Sequence, residues 1–470
     1  MAVTKREFLK RLGLGGAGLV GGAVLADEYV PTKNRLPPGS IGDPDSPNFG
    51  KNIFPLDHTL EDGPSCLLKD GRVFQPAREI PIFHKTDVVV VGGGPAGFCA
   101  AIAAARAGAK VALVERYGSL GGLFTNGLVL LLMATSVKED GKWRLVTKGI
   151  AKEFMDRGLK EGISTGDFTD QWHWQPTLDA EGSKYLMDKM IAEEKVEMFF
   201  HSWGVDVIQD GMEVKGVVFE SKQGTQAILA KQVVDATGDG DLLFSAGGDY
   251  RQVTHGIGHC VQLANMDRIT AKDRHRDKDG KPFPHWPLAS NEPNRGLWWG
   301  NMGPGPKGNG LDVRELSRAE VNFRKRWWEQ VREMQKTPGW EKVYIANTCS
   351  QIGVRTTRLV DAEFVVDAAA AHAPAPADTV AWAGDGGAGY GIAVPYRQLV
   401  PKKVENLLCC GRMLGAPDTI ETLRLITPCM TNGEAAGTAA AMAAKAGVHP
   451  RDLDVKALRK ALAEAGAYLG

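Results

Sequence analysis

Asp87-Val88-Val89-Val90-Val91-Gly92-Gly93-Gly94-Pro95-Ala96-Gly97 is the stretch on which the reading of this chain turns. Its valines form a β-branched run suited to a strand buried on both faces. The glycine turn follows at once. Phe98 to Arg106 is Ala-rich and helical, and it closes at Gly108, a fitting C′ residue. Lys110-Val111-Ala112-Leu113-Val114 reads as a second strand, with Glu115 at its end. Strand, glycine turn, helix, strand and acid fall within about 30 residues, the context that gives such a motif its meaning. Gly92 permits the tight turn, Gly94 lets the backbone approach a pyrophosphate, and Gly97 lets helix and strand pack closely. Pro95 and Ala96 open the helix, whose N-terminus turns free N–H groups and positive dipole toward phosphates. Glu115 is placed to accept hydrogen bonds from ribose hydroxyls and would repel a 2′-phosphate, which argues against NADP. The unit alone does not say which dinucleotide binds.

The rest of the composition narrows the field. A chain of 470 residues is long enough for two or three domains and a large core. With 56 basic against 56 acidic residues there is no basic excess for nucleic acid. Gly is abundant but follows no short period, so collagen and solenoids are excluded. No run of about 20 apolar residues follows the N-terminus, so no stable membrane span is expected once a signal is removed. The seven Cys are scattered without a C-x-x-C spacing. Neither a disulfide scaffold nor a metal site is supported.

The first 26 residues read as an address. Thr4-Lys5-Arg6-Glu7-Phe8-Leu9-Lys10 is basic, Leu12 to Ala26 is weakly apolar, and Val24-Leu25-Ala26 offers a cleavage site before Asp27. The segment resembles a twin-arginine export signal, with Lys5 in place of the first Arg, and implies a periplasmic or extracellular protein. The letters Gly13-Leu14-Gly15-Gly16-Ala17-Gly18 match a dinucleotide motif, but no strand precedes them. Residues 27–84 are rich in Pro, Gly, Asp and Asn and read as a loop-rich extension.

Three further blocks carry a family resemblance. Arg116-Tyr117-Gly118-Ser119-Leu120-Gly121-Gly122 follows the ribose acid directly. Gln232-Val233-Val234-Asp235-Ala236-Thr237-Gly238-Asp239 runs an apolar strand into a glycine turn. Val404-Glu405-Asn406-Leu407-Leu408-Cys409-Cys410-Gly411-Arg412 does the same, and an Ala-rich helix containing Gly433 follows, reaching about Lys445. Gln351 to Arg358 and Val394-Pro395-Tyr396-Arg397 match recurring blocks as well. Together these resemble the FAD-dependent oxidoreductases, glutathione-reductase-like flavoproteins with two dinucleotide folds and distant kin of fumarate reductase flavoproteins. The resemblance covers about residues 85–455 and implies FAD as cofactor. It implies cofactor contacts from Gly92, Gly94, Pro95, Ala96, Gly97, Glu115, Arg116, Gly121, Gly122, Thr237, Gly238, Gly411, Arg412 and Gly433. It adds Gly204, where the family often has a β-branched residue whose backbone meets adenine. In the family the last helix points its N-terminus at the flavin pyrimidine, where positive dipole stabilises a reduced flavin.

The expected fold class is α/β, a discontinuous Rossmann-like FAD-binding domain carrying an inserted α+β substrate domain. The FAD domain is assigned to residues 85–135, 195–250 and 395–450, the substrate or cap domain to 136–194 and 251–394, and a tail to 451–470. Residues 251–340 are dense in Trp (Trp286, Trp298, Trp299, Trp327, Trp328, Trp340), and core is the safer reading than pocket wall.

A flavin enzyme must hold substrate against one flavin face and manage one proton. Among His173, His255 and His259, His255 is preferred because it follows a cofactor block closely. Arg355, Arg358, Arg397 and Arg424 lie in the family-like blocks. Arg355 and Arg424 are favoured for orienting an anionic or carbonyl substrate, or for stabilising anionic reduced flavin. Adjacent Cys409 and Cys410 read as strand residues facing opposite ways. The expected activity is hydride transfer between flavin and a small organic substrate, with an electron donor or acceptor not named by the sequence. A flavin-bearing electron-transfer subunit and a flavin monooxygenase are the alternatives.

Overall fold

The computed structural model describes residues 66–166, 176–269, 289–302, 305, 307–384 and 390–470. The chain forms two compact units, Met1–Ala77 and Arg78–Gly470. In the first, the described residues make one solvent-exposed hairpin, Leu67–Lys69 with Arg72–Phe74. The export-like segment, His173 and Trp286 lie outside the described residues.

The second unit is built on a sheet whose centre is the valine run. Strand β1 (Ile82–Val91) leads into helix α1 (Pro95–Arg106) and returns as β2 (Val111–Val114). Helices α2 (Ile150–Lys160) and α3 (Ala180–Glu193) come next. Then follow β3 (Glu197–Phe199), β4 (Trp203–Asp210), β5 (Glu213–Ser221) and β6 (Gly224–Asp235). The order across the sheet is β3-β2-β1-β6-β5-β4, and a later strand, β10 (Leu407–Cys409), also pairs with β6. β6 is long enough to divide its partners. On one edge its first half runs antiparallel to β5 and its last residues parallel to β10, while on the other edge Ala227–Asp235 run parallel to β1.

β3, β2, β1, β6 and β10 therefore run parallel and end along one edge. Both faces of this sheet are covered, as the unbroken valines require. Val88 and Val90 join the cluster around α1, while Val89 and Val91 join a second cluster with Val233 and Leu407. Cys409 and Cys410 divide between the same two clusters, as alternating strand residues do, and both are free thiols.

The insert between β6 and β10 carries a second sheet. Its central strand, β7 (His255–Ala264), pairs antiparallel with β8 (Trp298–Met302) and β9 (Tyr344–Thr348). Helix α4 (Val313–Met334) packs on one face through Phe323, Trp327 and Val331. The other face of that sheet, with Cys260 and Trp299, joins the main core. Trp298, Trp299, Trp327 and Trp340 are buried, and Trp328 alone of the described tryptophans in residues 251–340 is exposed, at 58%.

The chain ends with a short helix α5 (Ile420–Leu423), a long helix α6 (Ile426–Ala446) and α7 (Val455–Glu464). α6 and α1 cross at unusual closeness. A Cβ on Gly433 would lie 2.1 Å from the Ala96 carbonyl oxygen, and one on Gly437 2.0 Å from that of Ala100.

The buried clusters and elements fall differently from the expected domain limits. Residues 136–194 do not form a separate domain: Leu145, Phe154, Leu186 and Met190 are buried in one cluster with Val88 and Phe98. The apolar faces of α2 and α3 cover the outside of α1, which a bare strand-helix-strand unit leaves open. The hairpin Thr379–Gly384/Gly391–Pro395 joins that cluster too, so an independent core within the insert is confined to about residues 257–354. The tail 451–470 is helical, with Leu458 and Leu462 fully buried, and β1 begins inside the expected extension, at Ile82.

Candidate functional site

The parallel strands place an open cleft where they end. This is the expected location: in open α/β sheets the crevice lies outside the carboxyl ends, where the strand order switches direction. β1 is that point, with β2 added on one side and β6 on the other.

The floor is the glycine turn. Gly92 has φ +102°, and a Cβ there would sit 2.4 Å from the Ala236 carbonyl oxygen, so the turn tucks beneath the exit of β6. A Cβ on Gly97 would lie 1.7 Å from the Gly92 carbonyl oxygen, so only glycine lets α1 start there. Gly94 differs from both. It is the N-cap of α1 with ordinary extended backbone and no side-chain cap, and a Cβ on it would meet no protein atom within 4 Å. That open direction belongs to the cleft, which Gly92, Gly94, Pro95 and Ala96 all line. The uncapped first turn of α1 leaves backbone N–H groups for an anion.

Glu115 is buried at the end of β2. Its Oε2 accepts the Gly93 N–H at 2.5 Å and its Oε1 the Tyr117 N–H at 2.8 Å. Burial pushes its pKa up, and the two N–H donors and Arg116 oppose that shift. The Arg116 guanidinium stacks on Tyr117 and Trp203, 4.9 and 5.3 Å from the ring centroids. Gly204 follows Trp203 in the cleft wall. A Cβ at that position would meet Val91 Cγ1 at 2.5 Å, which explains glycine where a β-branched residue was expected.

Gly121 (φ +105°) donates its N–H to the Gly93 carbonyl at 2.8 Å, and Gly122 (φ +49°) lines the cleft beside Gly94. From the other side come Thr237 and Gly238. Thr237 gives its N–H and hydroxyl to Asp235 Oδ1 at 3.1 and 2.7 Å. Asp235 is fully buried, and desolvation raises its pKa to about 6. Arg412 pairs through Nη2 with Asp239 at 2.6 Å. Its Nη1 is buried and finds no partner among the described residues, although Arg412 lines the cleft. Gly411 (φ +90°) donates to Asn432 Oδ1 at 2.7 Å.

At the far end Ile426 and Cys429 bring in the N-terminus of α6, which has no side-chain cap. Gly433, expected at the cofactor, is two turns further on. It is a crossing residue against Ala96 and does not line the cleft. Gly97 and Gly121 likewise shape the turn from behind.

His255, Arg355 and Arg424 were chosen separately from distant parts of the sequence, and the fold gathers them around one residue it did not single out, Glu421. His255 Nε2 pairs with Glu421 Oε1, and Arg424 Nη2 with Glu421 Oε2. Arg355 Nη1 donates to the Gly256 carbonyl at 2.5 Å. Arg424 alone of the three lines the cleft. Burial lowers the His255 pKa, and Arg424 and Arg355 add to that against the pull of Glu421. Burial also lowers that of Arg355, with Arg424 beside it. Burial would raise Glu421, but Arg424 and His255 hold it below the usual carboxylate value. The i,i+3 spacing of Glu421 and Arg424 was a visible signal; the link to His255 was not.

The other candidates are structural. Arg358 is tied to Asp241 at 2.9 Å and stacks on Phe244, and Arg397 pairs with Asp378 at 3.0 Å. His259 is fully buried, stacked on Phe323 and 3.7 Å from Glu320.

The donor set suits a dinucleotide with a pyrophosphate. It offers an uncapped helix start, a glycine whose missing Cβ opens into the cleft, an unpaired buried guanidinium nitrogen and a buried carboxylate at the end of β2. FAD fits these residues: Gly94 and the α1 N-terminus for phosphates, Glu115 for ribose, Arg412 for an anionic oxygen, and α6 for the ring.

Comparison with known proteins agrees. Residues 87–462 match the profile of the FAD dependent oxidoreductase family. A dihydrolipoyl dehydrogenase of Trypanosoma brucei brucei is 34% identical over 165 residues, 34% of this chain and 32% of that protein. A thiamine thiazole synthase of Methanothermobacter thermautotrophicus is 29% identical over 158 residues, 33% of this chain and 57% of its own. The chain thus spans about a third of the length of the dihydrolipoyl dehydrogenases it matches. Among solved structures, p-nitrophenol 4-monooxygenase from Pseudomonas putida is similar at a TM-score of 0.46 and 15% identity, covering 81% of this chain and 84% of that one. A geranylgeranyl bacteriochlorophyll reductase-like protein from Thermoplasma acidophilum is similar at 0.45 and 14%, covering 82% and 84%.

Proposed function

The chain belongs to the FAD-dependent oxidoreductase family, and from that premise we propose that it transfers a hydride between flavin N5 and a small organic substrate. The observation that carries the reading is the cradle at Gly94, where a Cβ would enter open cleft, together with the unpaired Arg412 Nη1. Bound there, FAD supplies a two-electron donor and acceptor. The residues do the rest. Gly94, Pro95 and Ala96 present the α1 N-terminus to the phosphates, with positive dipole and N–H donors together. Glu115 orients the adenosine ribose while keeping Gly93 and Tyr117 in place. Gly204 and Trp203 close the adenine end, and Gly122, Thr237 and Gly238 flank the middle. The start of α6 brings positive potential to the ring end.

His255 supplies the proton site. Its lowered pKa keeps the imidazole neutral near neutral pH, ready to accept a proton, and Glu421 fixes its orientation. Arg424 stands between this pair and the cleft. A separate electron donor or acceptor completes the turnover.

The basic head and apolar stretch of residues 4–26 support export, and the twin-arginine-like pattern supports a route that carries folded, FAD-loaded protein. No helix of the described residues is long and apolar enough to cross a membrane. Export is tested by fractionating cells that express the full chain. A mature N-terminus at Asp27 outside the cytoplasm supports it, and an intact cytoplasmic chain refutes it.

The activity is tested by anaerobic bleaching of the flavin against sugars, hydroxy acids and enoates. Bleaching by one class, slowed in His255→Ala without loss of FAD, is expected. Normal reduction in that variant removes His255 from the reaction.

A further inference from the structure

The cluster around Glu421 is electrically unbalanced, and its imbalance faces the cleft. We infer that the space between β7 and the α5–α6 junction is a subsite for the carboxylate of a small monoanionic organic substrate, gripped by Arg355 and Arg424. The inference rests on the FAD-dependent reading, because it sets this anion beside the stretch of cleft headed by α6.

Elsewhere at the cleft Arg412 is matched by Asp239, and Asp241, which also lines it, is matched by Arg358. Here Glu421 pairs with Arg424, and Arg355, hydrogen-bonded to the Gly256 carbonyl, is near enough to feel both charges. The charged groups that bear on Arg355 are Arg424 and Glu421, and those that bear on His255 are Glu421, Arg424 and Arg355. With the imidazole neutral, the sum is one positive charge. The groups are not freely solvated: the Arg424 side chain is 16% exposed and that of His255 20%. An unmatched half-buried charge costs stability unless something compensates it, and a ligand anion does so.

The hydrogen-bond inventory agrees. Arg424 Nε is buried without a partner among the described residues, and so is His255 Nδ1. Gln351 Oε1 is in the same condition, and Gln351 lines the same cleft as Arg424. One guanidinium N–H, one imidazole nitrogen and one amide oxygen are thus left over. They suit a carboxylate together with a neighbouring hydroxyl or amine. Gly256 offers its carbonyl to Arg355, and a Cβ at Gly258 would lie 3.4 Å from Arg355 Nη2, so the guanidinium rests against β7.

Arginine presents a planar fork that matches a carboxylate with two parallel hydrogen bonds. The surplus of a single charge selects among anions. A monocarboxylate neutralises it, whereas a phosphate dianion overshoots. Glu421 is a positioning residue: it holds Arg424 and His255 at once and is itself 63% exposed.

The test uses FAD-loaded protein titrated with glycolate, with its neutral isostere glycolamide and with inorganic phosphate, reading the perturbation of the flavin spectrum. Saturable perturbation by glycolate is expected, with glycolamide and phosphate at least about 10-fold weaker. Arg355→Gln and Arg424→Gln should each weaken glycolate by about 10- to 100-fold, the span of a charge-assisted hydrogen bond. Arg355→Lys, which keeps charge and loses the fork, should fall between them and the parent. Glu421→Gln should weaken glycolate less than either arginine change. Equal response to glycolate and glycolamide, tighter binding of phosphate, or an unchanged response in both Gln variants overturns the inference. Visible absorbance of the same samples separates the two readings. A yellow protein indifferent to carboxylates refutes the subsite alone, and a protein that takes up no FAD refutes the reading beneath it.

Discussion

Replacing Gly94 by Ala should separate cofactor binding from folding more cleanly than any other change in the chain. The added Cβ meets no protein atom within 4 Å, and Gly94 already has φ −67° and ψ −176°, a conformation open to alanine. Two small effects on stability oppose each other. Alanine is a poorer N-cap than glycine by somewhat under 1 kcal/mol, and it restricts the unfolded chain by about 0.4–1 kcal/mol. Unfolding of the FAD-free protein in urea should therefore shift by less than about 1 kcal/mol. Binding has no such compensation. The methyl group occupies the space assigned to the pyrophosphate, and overpacking of this kind costs about 1–3 kcal/mol. At about 1.4 kcal/mol per tenfold, FAD affinity should fall by about 5- to 150-fold, read by quenching of flavin fluorescence on titration. Gly97→Ala is the contrast: its Cβ would lie 1.7 Å from a backbone oxygen, so it should destabilise the FAD-free protein by 3 kcal/mol or more, at the upper end of overpacking. If Gly94→Ala binds FAD as tightly as the parent, the phosphates do not approach Gly94 and the placement of the cofactor is wrong.

Gly433→Ala should loosen the α1–α6 crossing and destabilise the FAD-free protein by about 1–3 kcal/mol, measured in urea; a loss of FAD affinity with unchanged stability would restore it to the cofactor site. Glu115→Gln leaves one of the Gly93 and Tyr117 N–H groups facing an amide N–H, so FAD affinity should drop by about 10-fold or more in the same fluorescence titration; unchanged affinity removes its ribose role. Glu434, buried on α6, accepts the Ile150 N–H at 3.0 Å, and burial raises its pKa from 4.5 to about 7. The folded state therefore holds a proton that the unfolded state releases, and stability from this residue is lost as pH rises from the unfolded pKa to the folded one. Relative to the parent, Glu434→Gln should gain about 2–3 kcal/mol between about pH 5 and pH 8 in urea unfolding; a pH-independent difference would contradict this.

What the sequence made legible was what neighbouring residues decide. Residues 87–115 read correctly because a valine run, three spaced glycines and a terminal acid each restrict the backbone locally: Gly92 and Gly108 take positive φ, and Gly97 leaves no room for a Cβ. Domain limits are not decided locally in this way. Whether α2, α3 and α7 cover the dinucleotide unit or an insert depends on which apolar faces meet, and no local pattern carries that. Gly433 was read as a cofactor residue because a cofactor turn and a close helix crossing both demand a missing side chain, and here it packs at the crossing against Ala96. His255, Arg355 and Arg424 were picked singly, while their meeting at Glu421 is a tertiary fact, with His255 and Glu421 separated by 166 residues.

The central claim is that Gly94, Glu115, Arg412 and the start of α6 hold one FAD. The most direct measurement is FAD uptake by the purified protein, with stoichiometry from visible absorbance of bound and heat-released flavin. One FAD per chain, with affinity reduced in Gly94→Ala and unaffected by adenine-free riboflavin as competitor at equal concentration, is the predicted result. A folded protein that stays colourless when supplied with FAD would contradict it.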